Sequence, residues 1–142
     1  MPPKVCVDAS LAVKLLVQEP YSDRAAFLWQ GWIEKDIERI APAFFPSEVA
    51  SSVRHKCVRK QLSEEEVEEA FNIFTMLDFT VLTPETLLKE AWDMARELGL
   101  PTLYDTAYLA LAKLCNCEFW TADEVLANSL QGKFPWVRWL GG

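Results

Sequence analysis

Twenty-one of the 142 residues are acidic, and most sit in runs such as EEEVEE (64–69) that read as solvated helix faces. Four stand apart by position. Asp8 closes the apolar run KVCVD (4–8), Glu48 opens the stretch after ERIAP (38–42), Asp105 begins LYDTAYLALAKL (103–114), and Asp123 follows EFWT (118–121). Carboxylates at such junctions have two chemistries open to them. They can cap helices, accepting from free backbone N–H groups at the positive end of the dipole. Thr102 and Asp105 have the spacing of a capping box. Alternatively the four gather, repel one another and raise each other's pKa until a cation compensates. Mg²⁺ is the hard ion that a few carboxylates, water and a substrate phosphate hold together. Such a site suits phosphodiester hydrolysis, because the ion acidifies water and neutralises charge building on phosphate.

Other chemistries lack their residues. The chain has no G-x-x-x-x-G-K-[ST] and no G-x-G-x-x-G loop. His55 is the only histidine and has no triad partner, and Cys6, Cys57, Cys115 and Cys117 form no C-x-x-C pair. The cysteines read as small, reduced core residues.

The elements that must position the acids follow from periodicity. Strands are expected at 4–8, 38–42, 79–82, 118–121 and 135–140, and helices at 10–19, 21–36, 45–61, 63–77, 84–99, 102–115 and 123–130. Ser10 and Ser47 stand near helix starts as cap candidates, Ser63 and Glu66 have capping-box spacing, Pro84 suits a first turn, and Gly99 suits a helix end. Short apolar strands alternating with helices predict an α/β sandwich of three layers, its central sheet mostly parallel and covered on both faces. Ligands in such folds bind beyond the carboxyl ends of the strands. All four acids fall at that edge.

Length and composition are those of one globular domain over residues 1–142, at 51% hydrophobic and 25% charged. No apolar run approaches the roughly 20 residues that span a bilayer. The N-terminus MPPKVCVDAS has no leader pattern, so a cytoplasmic protein is expected. A net charge of -7 argues against broad, non-specific binding of nucleic acid, although a local basic patch beside an acidic site is compatible with it. A phosphoacceptor signalling domain would need an acid at the end of the middle strand, and FTVLTPE offers none there.

The quoted segments carry a resemblance. VCVDAS, FFPSEVASSV, LYDTAYLALAKLCNCEFWTAD and the closing WVRWL together resemble a PIN domain, and more narrowly the VapC-type toxin ribonucleases of toxin–antitoxin pairs. The resemblance spans essentially the whole chain, with YDTAYLALA followed by TAD its most specific part. It implies an endoribonuclease dependent on Mg²⁺ or Mn²⁺, with one or two ions held by Asp8, Glu48, Asp105 and Asp123. It implies supporting roles for Ser10 and Thr121, a homodimer, and an antitoxin protein lying across the active site. Other branches of the same family process RNA without being toxins, and a non-catalytic binding module would share the fold.

The densest basic run, RHKCVRK (54–60), begins six residues after Glu48. Ser52, His55 and Arg59 share the helix face of Glu48, so they and Arg54 are candidates for contacting RNA phosphates, as is Lys14 one turn past Ser10. A solvated helix end with cations near its C-terminal dipole explains the run equally well. The aromatic residues Phe27, Trp29, Trp32, Phe44 and Phe45 suggest a core that also offers a partner surface, with the second helix as its centre.

Overall fold

The computed structural model describes residues 2–130 and 132–142. Among them, the strands β1 (Lys4–Val7), β2 (Glu38–Ala41), β3 (Thr80–Val81), β4 (Glu118–Thr121) and β5 (Val137–Trp139) form one sheet. Its order is β3-β2-β1-β4-β5 and every pairing is parallel. The helices are α1 (Ala9–Leu16), α2 (Ser22–Glu34), α3 (Phe45–Val58), α4 (Glu64–Thr75), α5 (Leu87–Leu98), α6 (Tyr104–Leu114) and α7 (Glu124–Ser129).

Alternation along the strands divides the core between the two faces of the sheet. Val5, Val7 and Trp120 join Leu11, Trp29 and Trp32 in one cluster. Cys6 and Phe119 point the other way, into a larger cluster supplied by α1 and α3 to α7. One helix, α2, covers most of the first face alone. It therefore needs its largest side chains there, and Trp32 meets Trp120 edge to face at 6.0 Å.

That requirement places most of the aromatic residues in the core. Trp29 and Trp32 are buried, Phe45 is fully so, and Phe44 packs edge-on against Tyr104 and Tyr108. Of the five aromatic residues only Phe27 is exposed, at 79%. Truncating a buried aromatic of this kind costs about 3–5 kcal/mol. Leu88, Trp92 and Tyr104 on α5 and α6 are exposed as well.

Local rules hold at some ends and fail at others. Ser63 accepts from the Glu66 N–H at 3.1 Å while Glu66 accepts from the Ser63 N–H at 3.0 Å, completing the capping box of α4. Gly99 ends α5 in the left-handed region at φ +69, where a side chain would be strained. Pro84 lies in the turn before α5, whose N-cap is Thr86. Ser10 is inside α1 and caps nothing; Asp8 is the N-cap residue. Neither Ser47 nor Thr102 caps, since the N-caps of α3 and α6 are Phe44 and Leu103, without side-chain bonds.

Candidate active site

The strand order reverses between β1 and β4, because the chain builds outward from β1 through β2 and β3 and then returns to its other side. A reversal of this kind opens a crevice beyond the carboxyl ends of the two strands. Asp8 immediately follows β1 and Asp123 lies two residues past β4.

Asp8 is pinned by the sheet. Its backbone N–H donates to the Trp120 carbonyl at 3.0 Å, the last rung between the strands. The residue is 6% exposed. The Oδ2 atom accepts from Ser10 Oγ and from Thr121 Oγ1, both at 2.7 Å. Each hydroxyl is itself fixed by the backbone: Ser10 Oγ accepts from the Ala122 N–H at 2.9 Å, and Thr121 Oγ1 from the Asp123 N–H at 3.0 Å. The start of α1 is thus tied to the turn after β4.

Burial raises the Asp8 carboxyl to a pKa of about 6; the two hydroxyl donors oppose the rise, and the charges of Glu48 and Asp105 add to it. Among the described residues no lysine, arginine or histidine comes within ion-pair distance of it. A buried acid beside other acids and without a protein cation is costly. That cost is the first sign that the crevice is built for something other than helix punctuation.

Glu48 lies in the first turn of α3. Its Oε1 accepts from the Tyr108 hydroxyl at 2.6 Å, a bond across 60 residues of sequence. Tyr108 is fully buried, with the Phe44 ring at 5.4 Å and the Phe119 ring at 5.7 Å. Burial, with Asp8 and Glu48 nearby, pushes its phenol far above the usual range, so it remains a donor. Asp105 occupies the first turn of α6 without capping it. Its carboxyl is raised by burial and then by the charge of Asp123. Asp123 does cap: its Oδ1 accepts from the Leu126 N–H at 3.1 Å. Capping and clustering are therefore not alternatives for this residue.

The four acids share one edge and feel one another's charge, yet they do not form a finished cage. Among the described residues no three acidic, histidine or cysteine side chains stand close enough to enclose an ion. Glu48 is held by Tyr108 and Asp123 by its own helix. The donor chemistry nevertheless fits a hard divalent ion: the groups at the crevice are carboxylate and hydroxyl oxygens. Asp8 Oδ1, Glu48 Oε2 and Asp123 Oδ2 accept no hydrogen bond from the described residues.

The basic candidates are less free than the sequence suggests. Arg54 pairs with Glu64 at 2.7 Å, and Glu19 takes both Lys14 at 3.2 Å and Lys56 at 3.1 Å. His55 and Arg59 make no ion pair among the described residues. Six residues along a helix is about 9 Å, so Lys14 and Arg54 stand well along α1 and α3 from the acids. Glu19 is distant in sequence from the run and Glu64 lies just past its end at the start of α4, so the run alone gives no sign of them.

The sequence reading missed Tyr108. Its signal was present, since a tyrosine in an otherwise Ala- and Leu-rich buried helix needs an acceptor for its hydroxyl. It also follows Asp105 by three residues, on the same face.

Comparison with known proteins identifies a family and a fold. The PIN domain family matches residues 5–129. VapC ribonuclease Mb0985 of Mycobacterium bovis and ribonuclease VapC9 of Mycobacterium tuberculosis are each 27% identical over 132 residues, which is 92% of this chain and 94% of theirs. Among solved structures, PAE2754 from Pyrobaculum aerophilum is similar at a TM-score of 0.60 and 21% identity, covering 94% of this chain and 91% of that one. Mycobacterium tuberculosis VapC20, a sarcin-ricin loop cleaving toxin, is similar at a TM-score of 0.64 and 14% identity, covering 92% and 95%. At those identities the structural likeness establishes the fold.

Proposed function

The chain belongs to the PIN domain family, and from that premise we propose that it is a divalent-metal-dependent endoribonuclease acting as the toxin of a toxin–antitoxin pair. The observation that carries the reading is the Asp8 carboxylate. It is buried, has other acids for neighbours, and is held by two hydroxyls with no protein cation against it. The relatives named as VapC ribonucleases support the substrate class.

Asp8, Glu48, Asp105 and Asp123 would hold one or two Mg²⁺ or Mn²⁺ ions. When bound, such an ion supplies acidified water and charge neutralisation at phosphorus. The chain's own residues prepare the place. Ser10 and Thr121 fix the rotamer of Asp8, Tyr108 fixes one oxygen of Glu48, and the Leu126 N–H fixes Asp123. Asp105, exposed on the rim beside Asp123, completes the acidic wall. Hydrolysis at the 3′-oxygen leaves a 3′-hydroxyl and a 5′-phosphate. His55 and Arg59 remain as candidates for phosphate contact along α3, while Arg54 and Lys14 would first have to leave their carboxylate partners.

A homodimer and an antitoxin contact belong to the same reading. The apolar groove lined by Phe44, Leu87, Leu88, Leu103 and Tyr104 supports such assembly on the α5–α6 side. No helix among the described residues is long and apolar enough to cross a membrane, and with RNA as its target the protein would act in the cytoplasm.

The decisive experiment assays RNA cleavage with Mg²⁺ or Mn²⁺ and with EDTA, using wild type, Asp105→Asn and Asp123→Asn. Both variants should lose most activity while folding as well as wild type, because Asn caps about as well as Asp and relieves repulsion. The rise in melting temperature on adding metal should shrink in both. Full activity in both variants, with no metal-dependent shift in wild type, would sink the proposal.

A further inference from the structure

Two lysines from different helices share a single carboxylate. Lys14 stands in the last turn of α1, and Lys56 belongs to the closing turns of α3. Both reach Glu19, in the turn that leads from α1 to α2. Glu19 Oε1 lies 3.2 Å from Lys14 Nζ, and Oε2 lies 3.1 Å from Lys56 Nζ. The three side chains are 17%, 23% and 25% exposed for Lys14, Glu19 and Lys56, so the cluster is sheltered yet open to solvent. The neighbouring pair of Arg54 and Glu64 is one to one, and its side chains are 59% and 70% exposed.

A phosphodiester presents what Glu19 presents: one negative charge shared by two equivalent oxygens on one centre. An ammonium is a compact point charge with three rotatable donors, so it accepts phosphate in place of carboxylate without a change of geometry. The lysines keep their places without Glu19, because the C-terminal ends of α1 and α3 favour cations there. Glu19 itself is held by its turn. Ser22 Oγ accepts from the Glu19 N–H at 3.0 Å and donates to the Val17 carbonyl at 2.9 Å. Tyr21 adopts φ +72 between them, a conformation that a bulky residue takes only when its surroundings impose it.

The cluster also stands where a bound strand would pass. Lys14 shares a face of α1 with Ser10, which bonds Asp8. It lies six residues beyond Asp8 and Lys56 lies eight beyond Glu48, about 9 and 12 Å along their helices. We propose that Lys14 and Lys56 form a binding site for one RNA phosphate, and that Glu19 fills this site as a stand-in for the phosphodiester and competes with the substrate. The inference rests on the functional reading above, in which the acids of the crevice meet RNA. A purely structural clamp between α1 and α3 has the opposite signature: removing Glu19 would lower stability and leave RNA affinity unchanged or weaker.

The test is fluorescence anisotropy of a labelled single-stranded RNA in Mg²⁺, from low to moderate salt, on the full chain carrying Asp8→Asn to prevent cleavage. Adding Glu19→Gln should tighten binding about fivefold at low salt, as release of two partly exposed ion pairs allows. It should steepen the slope of log affinity against log salt by about 0.7 to 1.4, the value for one or two further cations on a single strand. Adding Lys14→Gln or Lys56→Gln to that protein should remove most of the gain. Glu65→Gln removes the same charge from an exposed position on α4 and should change affinity by less than about twofold. Should Glu19→Gln fold poorly, Glu19→Asp keeps the charge but is one methylene short of spanning both lysines, and should tighten binding by a smaller factor. No gain in the Glu19 variants, an equal gain in Glu65→Gln, or a gain that survives loss of either lysine overturns the inference. Cleavage by the chain with Asp8 intact keeps the two layers apart. If that chain cuts RNA with metal while freeing the lysines leaves affinity unmoved, only the phosphate site fails; if it neither cuts nor binds RNA, the functional reading fails with it.

Discussion

The two halves of the acidic crevice are built on different principles. Asp8 and Asp123 stand at the ends of β1 and β4, where Ser10, Thr121, Ala122 and the sheet itself bind them through short, mutually reinforcing hydrogen bonds. Glu48 and Asp105 stand in the first turns of α3 and α6, without capping bonds, and the one hydrogen bond between those helices' side chains at the site is Tyr108 to Glu48. The strand-built half is rigid because its restraints are also the restraints of the fold. The helix-built half can adjust, because its restraint is one phenol. A site that must accept and release a highly charged ligand gains from having one fixed wall and one that yields.

The largest effect should come from the centre of the rigid half. Asp8→Asn should reduce cleavage by at least about a hundredfold, as loss of a positioned catalytic group does. It should also reveal the cost of burying the charge. The native pKa of Asp8, about 6, lies above its ordinary value of 3.8. Between those values the folded chain holds a proton that the unfolded chain releases, so stability falls as pH rises from about 4 through about 6. Above that the penalty is complete, at most roughly 3 kcal/mol. Urea unfolding from pH 4 to 8 in EDTA should show this slope in wild type and not in Asp8→Asn, which should be the more stable at pH 7. Parallel slopes in the two proteins would show that burial is not straining Asp8, and the contrast between the halves would lose its basis.

A smaller effect is expected at Thr121, which is fully buried and holds both acids of the rigid half. Thr121→Val keeps the shape but removes the donor to Asp8 and the acceptor for the Asp123 N–H. It should cost about 1–3 kcal/mol and about ten- to a hundredfold in metal affinity. Thr121→Ser should restore most of both, since the hydroxyl is what matters. Equal loss in the Ser variant would make the methyl packing, not the hydrogen bonds, the source of rigidity.

The same division explains what could be read from the sequence. The rigid half was legible: Asp8 and Asp123 follow recognisable strands, and a carboxylate just beyond a parallel strand falls in the crevice whatever its rotamer. The sheet was legible too, because alternating strand and helix periods leave few arrangements. How the aromatic residues of the second helix divide between core and surface was not legible, since burial behind a single covering helix is a tertiary fact that no helical period carries. Trp29 and Trp32 look the same in sequence whether they face a sheet or a neighbour. Tyr108 was passed over for a related reason. Its acceptor is 60 residues away, and only the packing of α3 against α6 brings the two together. The pairing of Lys14 and Lys56 through Glu19 is likewise a meeting of α1 and α3 beyond the reach of local spacing.

The smallest effects should come from the basic run, and they extend the comparison along α3 away from Glu48. If the adjustable half receives the RNA, the cations that are free should matter more than those already paired. Arg59 makes no ion pair among the described residues, while Arg54 is held by Glu64 at 2.7 Å. Removing one phosphate-binding cation should lower the slope of log affinity against log salt by about one unit or slightly less. Arg59→Gln should therefore flatten the salt dependence of RNA binding by about that amount, with kcat at saturating RNA nearly unchanged. Arg54→Gln should change it little, because breaking the pair with Glu64 offsets what a phosphate would provide. Binding to catalytically inactive Asp8→Asn protein, measured by fluorescence anisotropy between low and moderate salt, gives both slopes without cleavage. Equal slopes for Arg54→Gln and Arg59→Gln, both well below wild type, would mean that RNA displaces Glu64, and that the ion pair holds the track closed until substrate arrives. Slopes identical to wild type in both would return the run to a solvated helix end, and leave the acidic crevice to find its RNA through the α5–α6 side instead.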